Sequence, residues 1–259
     1  MLKINNLSIR VGKKEIVKNI SWQIKPGEIQ VLMGPNGSGK STFAQALAGQ
    51  NFYKTFGNVS LDDHRILKLS PDQRAKRGLL VIFQQPVNIT GVKVFDFLKS
   101  SFDKFFPKQK LSVAEFRSLI SKMIKKLGLE ENHLQRALNH QFSGGERKRL
   151  ELLQALLFKP KYIIFDEIDS GIDIDGLRII GKVVKRLQKQ KTGILLITHQ
   201  PKILKFVKPD KIHILLNGQI VKSGKAEVLQ RLERSGYQSF YCALCVCGEK
   251  FCPKHRKKI

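Results

Sequence analysis

The chain has 259 residues, of which 42% are hydrophobic, so it is long enough for one large domain with a small insert. No apolar stretch approaches the about 18 residues of a membrane-spanning helix, which excludes a chain that crosses the membrane by helices. The net charge of +26 is spread along the chain, which favours a basic proteome or an acidic partner over nucleic acid, whose binders usually concentrate basic residues with aromatics on one face.

The first residues predict strands. Residues 1–24 alternate apolar and polar side chains, as in an antiparallel pair of strands. The first strand begins at once, with no signal peptide or arginine-rich presequence before it. We therefore expect a cytoplasmic protein.

A glycine-rich segment follows a predicted buried strand over residues 28–33 and precedes a predicted helix over residues 41–48. It fits the pattern G-x-x-x-x-G-K-[ST], in which backbone N–H groups and the helix N-terminus face phosphates. Lys40 would reach the β- and γ-phosphates, and the Ser41 hydroxyl would bind magnesium. The predicted nucleotide-binding residues here are Gly34, Pro35, Asn36, Gly37, Ser38, Gly39, Lys40, Ser41 and Thr42.

Gln84 follows another apolar run, residues 79–83, which predicts a strand. A neutral amide at this place can contact magnesium or the attacking water without adding charge. Gln85 comes next, so the residues alone leave an ambiguity of one position.

Residues 92–141 change to helical spacing and predict a helical insert. After it, Ser143 and Glu146 form a capping box at the start of a further helix. The motif alone is explained equally by a well-capped helix and by donors aimed at a nucleotide on another subunit. The phosphate-binding segment favours the second explanation for Ser143, Gly144, Gly145 and Glu146.

Two adjacent carboxylates follow the apolar run at residues 162–165. Asp166 would hold magnesium, and Glu167 would polarise the attacking water. A neutral His199, after the apolar run at residues 193–198, could hydrogen-bond the γ-phosphate. The other five histidines show no such setting, and most are expected to lack chemistry: His64, His133, His140, His213 and His255.

All four cysteines lie in residues 242–259. Two C-x-x-[CH] pairs predict a tetrahedral zinc site made by Cys242, Cys245, Cys252 and His255, in which Cys247 could replace one member. Transient binding of iron or a cluster and free or redox-active thiols remain the alternatives.

Together these motifs resemble the ABC ATPase superfamily over residues 1 to about 240, and within it the SufC family of the Suf iron–sulfur cluster assembly system. Three stretches are similar to that family: residues 83–92, whose Phe-Gln-x-Pro pattern favours Gln84; residues 142–149; and residues 166–177, Asp-Glu-Ile-Asp-Ser-Gly-Ile-Asp-Ile-Asp-Gly-Leu. Transporter ATPases usually carry Asp-Glu-Pro-Thr-Ser-Ala-Leu-Asp in the last place. Residues 218–224 and 235–237 also resemble SufC, whereas residues 241–259 have no counterpart in it.

The resemblance implies an α/β fold: a P-loop ATPase with an N-terminal antiparallel β subdomain, a RecA-like mixed-sheet core and a helical insert at about residues 92–141, followed by the Cys-rich tail. It implies ATP and Mg²⁺ as cofactors, with Glu167, His199 and Gln84 catalytic and Ser41, Gln84 and Asp166 around the metal. It also implies an ATP-dependent homodimer, with Asp173 at the junction, that acts on SufB- and SufD-like scaffold proteins.

Two rival functions remain open: the ATP-binding subunit of a membrane transporter, and a nucleic-acid-associated ABC ATPase. Many ABC ATPases stack adenine on an aromatic residue where this chain has Val11, which offers only apolar contact. GTP is therefore not excluded.

Overall fold

The computed structural model describes residues 1–84, 89, 91–138 and 142–241. Four strands form an antiparallel sheet in the order β2-β1-β4-β5: β1 (Leu2–Val11), β2 (Lys14–Ile24), β4 (Lys54–Leu61) and β5 (His64–Arg65). The predicted antiparallel pair at the N-terminus is therefore present and belongs to a larger sheet.

A second sheet has six strands in the order β10-β9-β3-β8-β7-β6. Its members are β3 (Ile29–Met33), β6 (Leu79–Ile82), β7 (Tyr162–Asp166), β8 (Gly193–Thr198), β9 (Lys211–Leu216) and β10 (Gln219–Gly224). All neighbours are parallel except β9 and β10. The two sheets and their helices confirm the predicted α/β fold class.

The strands β3, β7 and β8 are buried along their whole length, which explains their continuous apolar sequences. Their register brings the carboxyl ends to one edge, with Met33 beside Thr198 and Asp166 beside Ile197. Loops that leave this edge therefore meet, as ligand-binding loops do in parallel sheets.

Helices cover the sheets and form the insert. They are α1 (Lys40–Ala48), α2 (Pro71–Lys76), α3 (Val94–Phe105), α4 (Val113–Lys126), α5 (Gly144–Phe158), α6 (Ile174–Lys189), α7 (Ala226–Ser235) and α8 (Gln238–Tyr241). Within the insert, Phe116 of α4 packs 5.6 Å from Phe95 and 5.3 Å from Phe102 between ring centroids. In the part of the chain that the structure describes, no helix is both long and apolar enough to span a membrane.

Arg74 holds the carboxyl end of α1 and is only 4% exposed. Its Nη1 donates to the carbonyls of Ala46 and Leu47, both at 2.8 Å, its Nη2 to Leu67 at 2.7 Å and its Nε to Leu69 at 2.9 Å. The guanidinium thus satisfies carbonyls that a helix end leaves without an intrahelical partner.

We expect Arg74→Met to lower the free energy of unfolding by about 3 kcal/mol, because buried carbonyls lose a charged donor. Urea denaturation measures this value. Arg77→Met is the matched control at an exposed neighbour, with an expected change within about 0.5 kcal/mol. Equal small losses in both variants would show that Arg74 does not stabilise α1.

His213 lies buried between the two sheets, and its ring stacks on Trp22 with centroids 4.7 Å apart. Its Nε2 lies 3.1 Å from Gln30 Oε1 and its Nδ1 lies 2.7 Å from Ser223 Oγ. Burial, with a smaller contribution from Lys211, lowers the pKa of His213 to about 4. The imidazole is therefore neutral at neutral pH.

The unfolded chain, with a histidine pKa of 6.5, takes up this proton first as the pH falls. His213 therefore costs stability progressively between pH about 6.5 and about 4, and the full loss is about 3 kcal/mol. We expect His213→Gln to remove this part of the acid slope in urea titrations at several pH values. Identical slopes in the native protein and in His213→Gln would contradict the assignment.

Candidate active site

The phosphate-binding loop joins β3 to α1 at the carboxyl edge of the parallel sheet. Gly37 (φ 78°) and Gly39 (φ 105°) are in the left-handed region, where glycine is favoured. A Cβ on Gly34 would lie 2.3 Å from the Leu215 carbonyl oxygen, so only glycine fits there. The loop is therefore tight because two of its glycines adopt positive φ and a third has no room for a side chain.

Lys40 bends back over this loop and is 4% exposed. Its Nζ donates to the carbonyls of Gly34, at 2.9 Å, and Pro35, at 3.0 Å. Burial lowers the pKa of Lys40, while the nearby charges of Glu167 and Asp166 oppose this shift. The ammonium group is thus held beside the loop, in the position that the motif predicts for contact with phosphates.

Asp166 ends β7 and is fully buried. Ser41 Oγ donates to its Oδ1 at 3.2 Å, whereas its Oδ2 has no hydrogen-bond partner. Burial, with a contribution from Glu167, raises the pKa of Asp166 to about 6. A buried carboxylate with an unsatisfied oxygen beside a hydroxyl fits a hard divalent cation such as Mg²⁺.

Glu167 lies among the other predicted catalytic side chains and is 6% exposed. Its Oε2 accepts from Gln84 Nε2 at 2.8 Å, and its Oε1 lies 3.2 Å from His199 Nδ1 and 3.8 Å from Lys40 Nζ. Its backbone has φ 51°, an uncommon value for a non-glycine residue. The structure thus brings Gln84, Glu167 and His199 to one place, although they are far apart in sequence.

A cavity of about 490 Å³ opens over these groups. It is lined by Ile16, Asn36, Gly37, Gly39, Lys40, Ser41, Thr42, Gln84, Glu167, Ser170 and His199. Ile16 and Ser170 were not predicted. Ile16 lines the cavity because the backbone of β2 approaches Gly39.

Of the predicted signature residues, Ser143, Gly145 and Glu146 line a different cavity, of about 350 Å³, at the start of α5, and Gly144 is not among its lining residues. Ser143 Oγ accepts from Glu146 N at 3.2 Å and Glu146 Oε2 accepts from Ser143 N at 2.8 Å, so the predicted capping box forms. Asp173, which caps α6 through Gly176 N, lines the same cavity. None of these residues lines the cavity over the phosphate-binding loop of the same chain.

Three contacts around the site had no sequence signal. Thr198 Oγ1 donates to Asp169 Oδ2 at 2.7 Å, and Lys148 Nζ donates to the Gln84 carbonyl at 3.0 Å. His133, expected to lack a role, is 5% exposed, and its Nε2 lies 3.1 Å from Glu146 Oε1. The burial of His133 depends on the packing of the insert against α5, which the sequence does not show.

The predicted tail ligands Cys242, Cys245, Cys247, Cys252 and His255 lie outside the described residues, as does Gln85. Among the residues that are described, no three His, Cys, Asp or Glu side chains are grouped to hold a metal. Serine and glutamine are not among these side chains, so the predicted magnesium ligands Ser41, Gln84 and Asp166 stay a prediction, with further ligands from phosphate oxygens and water.

The profile of the ABC transporter family matches residues 17–170. The chain is 43% identical over 241 residues to a probable ATP-dependent transporter, ycf16, of Pyropia yezoensis, with 92% of this chain and 96% of that protein covered. It is 40% identical over 240 residues to a probable ABC transporter ATP-binding protein of Streptococcus pyogenes serotype M18, covering 92% of this chain and 93% of that protein.

Among solved structures, the chain is similar to a dimeric post-hydrolysis state of the ATP-binding cassette MJ0796 bound to ADP and Pi. The TM-score is 0.76 at 25% identity, with 87% of this chain and 98% of that chain covered. ADP and phosphate are the products of ATP hydrolysis, so this relative links the shared fold to that reaction. The chain therefore belongs to the ABC transporter family, as one of its ATP-binding cassettes, and it is an ATPase.

Proposed function

We propose that this ATPase drives iron–sulfur cluster assembly of the Suf type, dimerising on ATP and changing the conformation of SufB- and SufD-like scaffold proteins. The observation that carries the proposal is the environment of Asp169. Transporter ATPases usually have Pro-Thr at positions 168 and 169, where this chain has Ile-Asp. This departure belongs to the SufC pattern.

The carboxylate of Asp169 is part of the site's structure. It is 5% exposed, burial raises its pKa, and it accepts the 2.7 Å hydrogen bond from Thr198. Burying a carboxylate without a hydrogen-bond partner costs free energy. Thr198 supplies that partner, so the chain accommodates an Asp at position 169 in place of the Thr of transporter ATPases. This hydrogen bond fastens the segment after Glu167 to the segment that carries His199.

For hydrolysis, we assign Lys40 and the N–H groups of the loop to the phosphates, and Ser41 and Asp166 to Mg²⁺. The bound metal would neutralise charge on the phosphate oxygens. Glu167 orients and polarises the attacking water, and the amide of Gln84 fixes the Glu167 carboxylate through its 2.8 Å hydrogen bond. His199, 3.2 Å from Glu167, is placed to contact the γ-phosphate.

The separate cavity lined by Ser143, Gly145 and Glu146 supports the dimer. In our proposal, this cavity closes over the nucleotide of a second copy, and hydrolysis releases it. ATP then stabilises the closed state by binding it more tightly than the open one.

The test is a tagged pull-down from native cell extract, with bound proteins identified by mass spectrometry and an untagged strain as control. Recovery of soluble SufB- and SufD-like scaffolds is the expected result. Recovery of a membrane permease, or of ribosomes and RNA released by salt, would overturn the assembly role and leave the ATPase activity untouched.

A transporter subunit is the second candidate. The names of the family and of both relatives favour it, because they describe transporters. Under this candidate, the pull-down from detergent extract would recover a membrane permease in stoichiometric amount, and no scaffold.

For the tail, we propose that Cys242, Cys245, Cys252 and His255 bind zinc. Metal analysis of protein purified without chelator should find about one zinc per chain. A Cys252→Ser, His255→Ala variant should lose it and keep its nucleotide affinity. Four titratable thiols without metal would reject the proposal, and iron in place of zinc would favour the cluster-binding alternative.

A further inference from the structure

The last described helices bring a tyrosine to the catalytic edge of the sheet. α7 ends at Ser235 and is followed by Gly236 (φ 61°), and α8 begins two residues later at Gln238. Phe240 of α8 is buried, and the Arg231 guanidinium lies 4.7 Å from its ring centroid and donates to the Ser239 carbonyl. These contacts between Arg231 of α7 and α8 hold the turn that contains Tyr237 in place.

The Tyr237 hydroxyl lies between two segments of the active site. It faces the His199 carbonyl oxygen at 3.5 Å, at the long end of the hydrogen-bond range, and the backbone of Gly34 is near enough to lower the pKa of the phenol. Burial raises the pKa of Tyr237 to about 12, and Glu167 is near enough to contribute. The phenol therefore stays protonated and can donate at neutral pH.

Both segments near this hydroxyl adjoin groups assigned to the reaction. The Gly34 carbonyl accepts from Lys40 Nζ at 2.9 Å. The two neighbours of His199 in the chain are joined to each other, because Gln200 N donates a 2.9 Å hydrogen bond to Thr198 Oγ1. Tyr237 thus lies beside the two segments that contact the phosphates in the assigned mechanism.

We propose that Tyr237 is a positioning residue that holds the His199 segment against the phosphate-binding loop, so that the C-terminal helices influence how the site distinguishes ATP from ADP. The inference rests on the proposed role of His199 at the γ-phosphate. Under this inference, the turn between α7 and α8 also sets nucleotide preference. This turn lies outside residues 17–170, which the family profile matches.

The test compares the affinities of the full chain for ADP and for β,γ-imido-ATP by calorimetry. Tyr237→Phe keeps the ring and removes only the hydroxyl. We expect about a fivefold loss of affinity for the imido analogue, the value of one neutral hydrogen bond, with ADP affinity unchanged. Tyr241→Phe, the same change on α8, should alter neither affinity.

A double-variant cycle separates positioning from packing. In a His199→Ala background, Tyr237→Phe should have no further effect on the imido analogue, because the hydroxyl acts through His199. An additive loss, an equal loss for ADP, or no loss in the single variant would overturn the role of Tyr237 and leave that of His199 intact. If His199→Ala itself left the imido-analogue affinity unchanged, the proposed role of His199 would fail first and this inference with it.

Discussion

Glu167→Gln is expected to bind ATP with unchanged affinity and to hydrolyse it about a thousandfold more slowly than the native protein. Glutamine keeps the size of the side chain and can still contact Gln84, but it cannot polarise the attacking water. Because hydrolysis no longer opens the dimer, the variant should accumulate as an ATP-bound dimer in size-exclusion chromatography.

Steady-state phosphate release measures the rate, and Glu233→Gln, an exposed carboxylate on α7, is the control with native turnover. Native turnover in Glu167→Gln itself would remove Glu167 from the catalytic role. Slow turnover without a trapped dimer would keep the role and argue against ATP-dependent dimerisation.

Lys40→Ala is expected to lower ATP affinity by at least about a hundredfold, since a charged donor to the phosphates is worth about 3 kcal/mol. The loss also reaches the metal site. The charge of Lys40 lowers the pKa of Asp166, so its removal lets that pKa rise further. Asp166 would then be less ionised at neutral pH and less able to hold a cation.

Isothermal titration calorimetry with ATP and Mg²⁺ measures this loss. Lys76→Ala, an exposed lysine, is the matched control and should bind ATP normally. Unchanged affinity in Lys40→Ala would refute the assignment of the phosphate-binding loop.

The motifs located the centre of the site because each combines a buried strand with a short polar loop. The strand predicted for residues 193–198 matches β8, and the strand before Asp166 was predicted one residue short. Such local patterns are readable because burial on both faces demands a continuous apolar run. Where several such strands are parallel, their loops must meet at one edge.

The contacts that were missed join residues that no local pattern relates. Thr198 and Asp169 are 29 positions apart, and Tyr237 and His199 are 38 apart. Ile16 lines the cavity only because β2 passes Gly39 in the folded chain. The helix α8 has four residues, too few to show a helical period.

The Arg74 guanidinium at the carboxyl end of α1 interacts with carbonyl dipoles, and none of its four acceptors is a carboxylate. Dissolved ions screen exposed charge pairs but act little on buried contacts of this kind. In a chain with a net charge of +26, added salt also reduces repulsion among the surface cations. The contact between Arg74 and α1, the helix that follows the phosphate-binding loop, should therefore persist over a wide range of ionic strength. That range includes salt concentrations at which surface ion pairs contribute little.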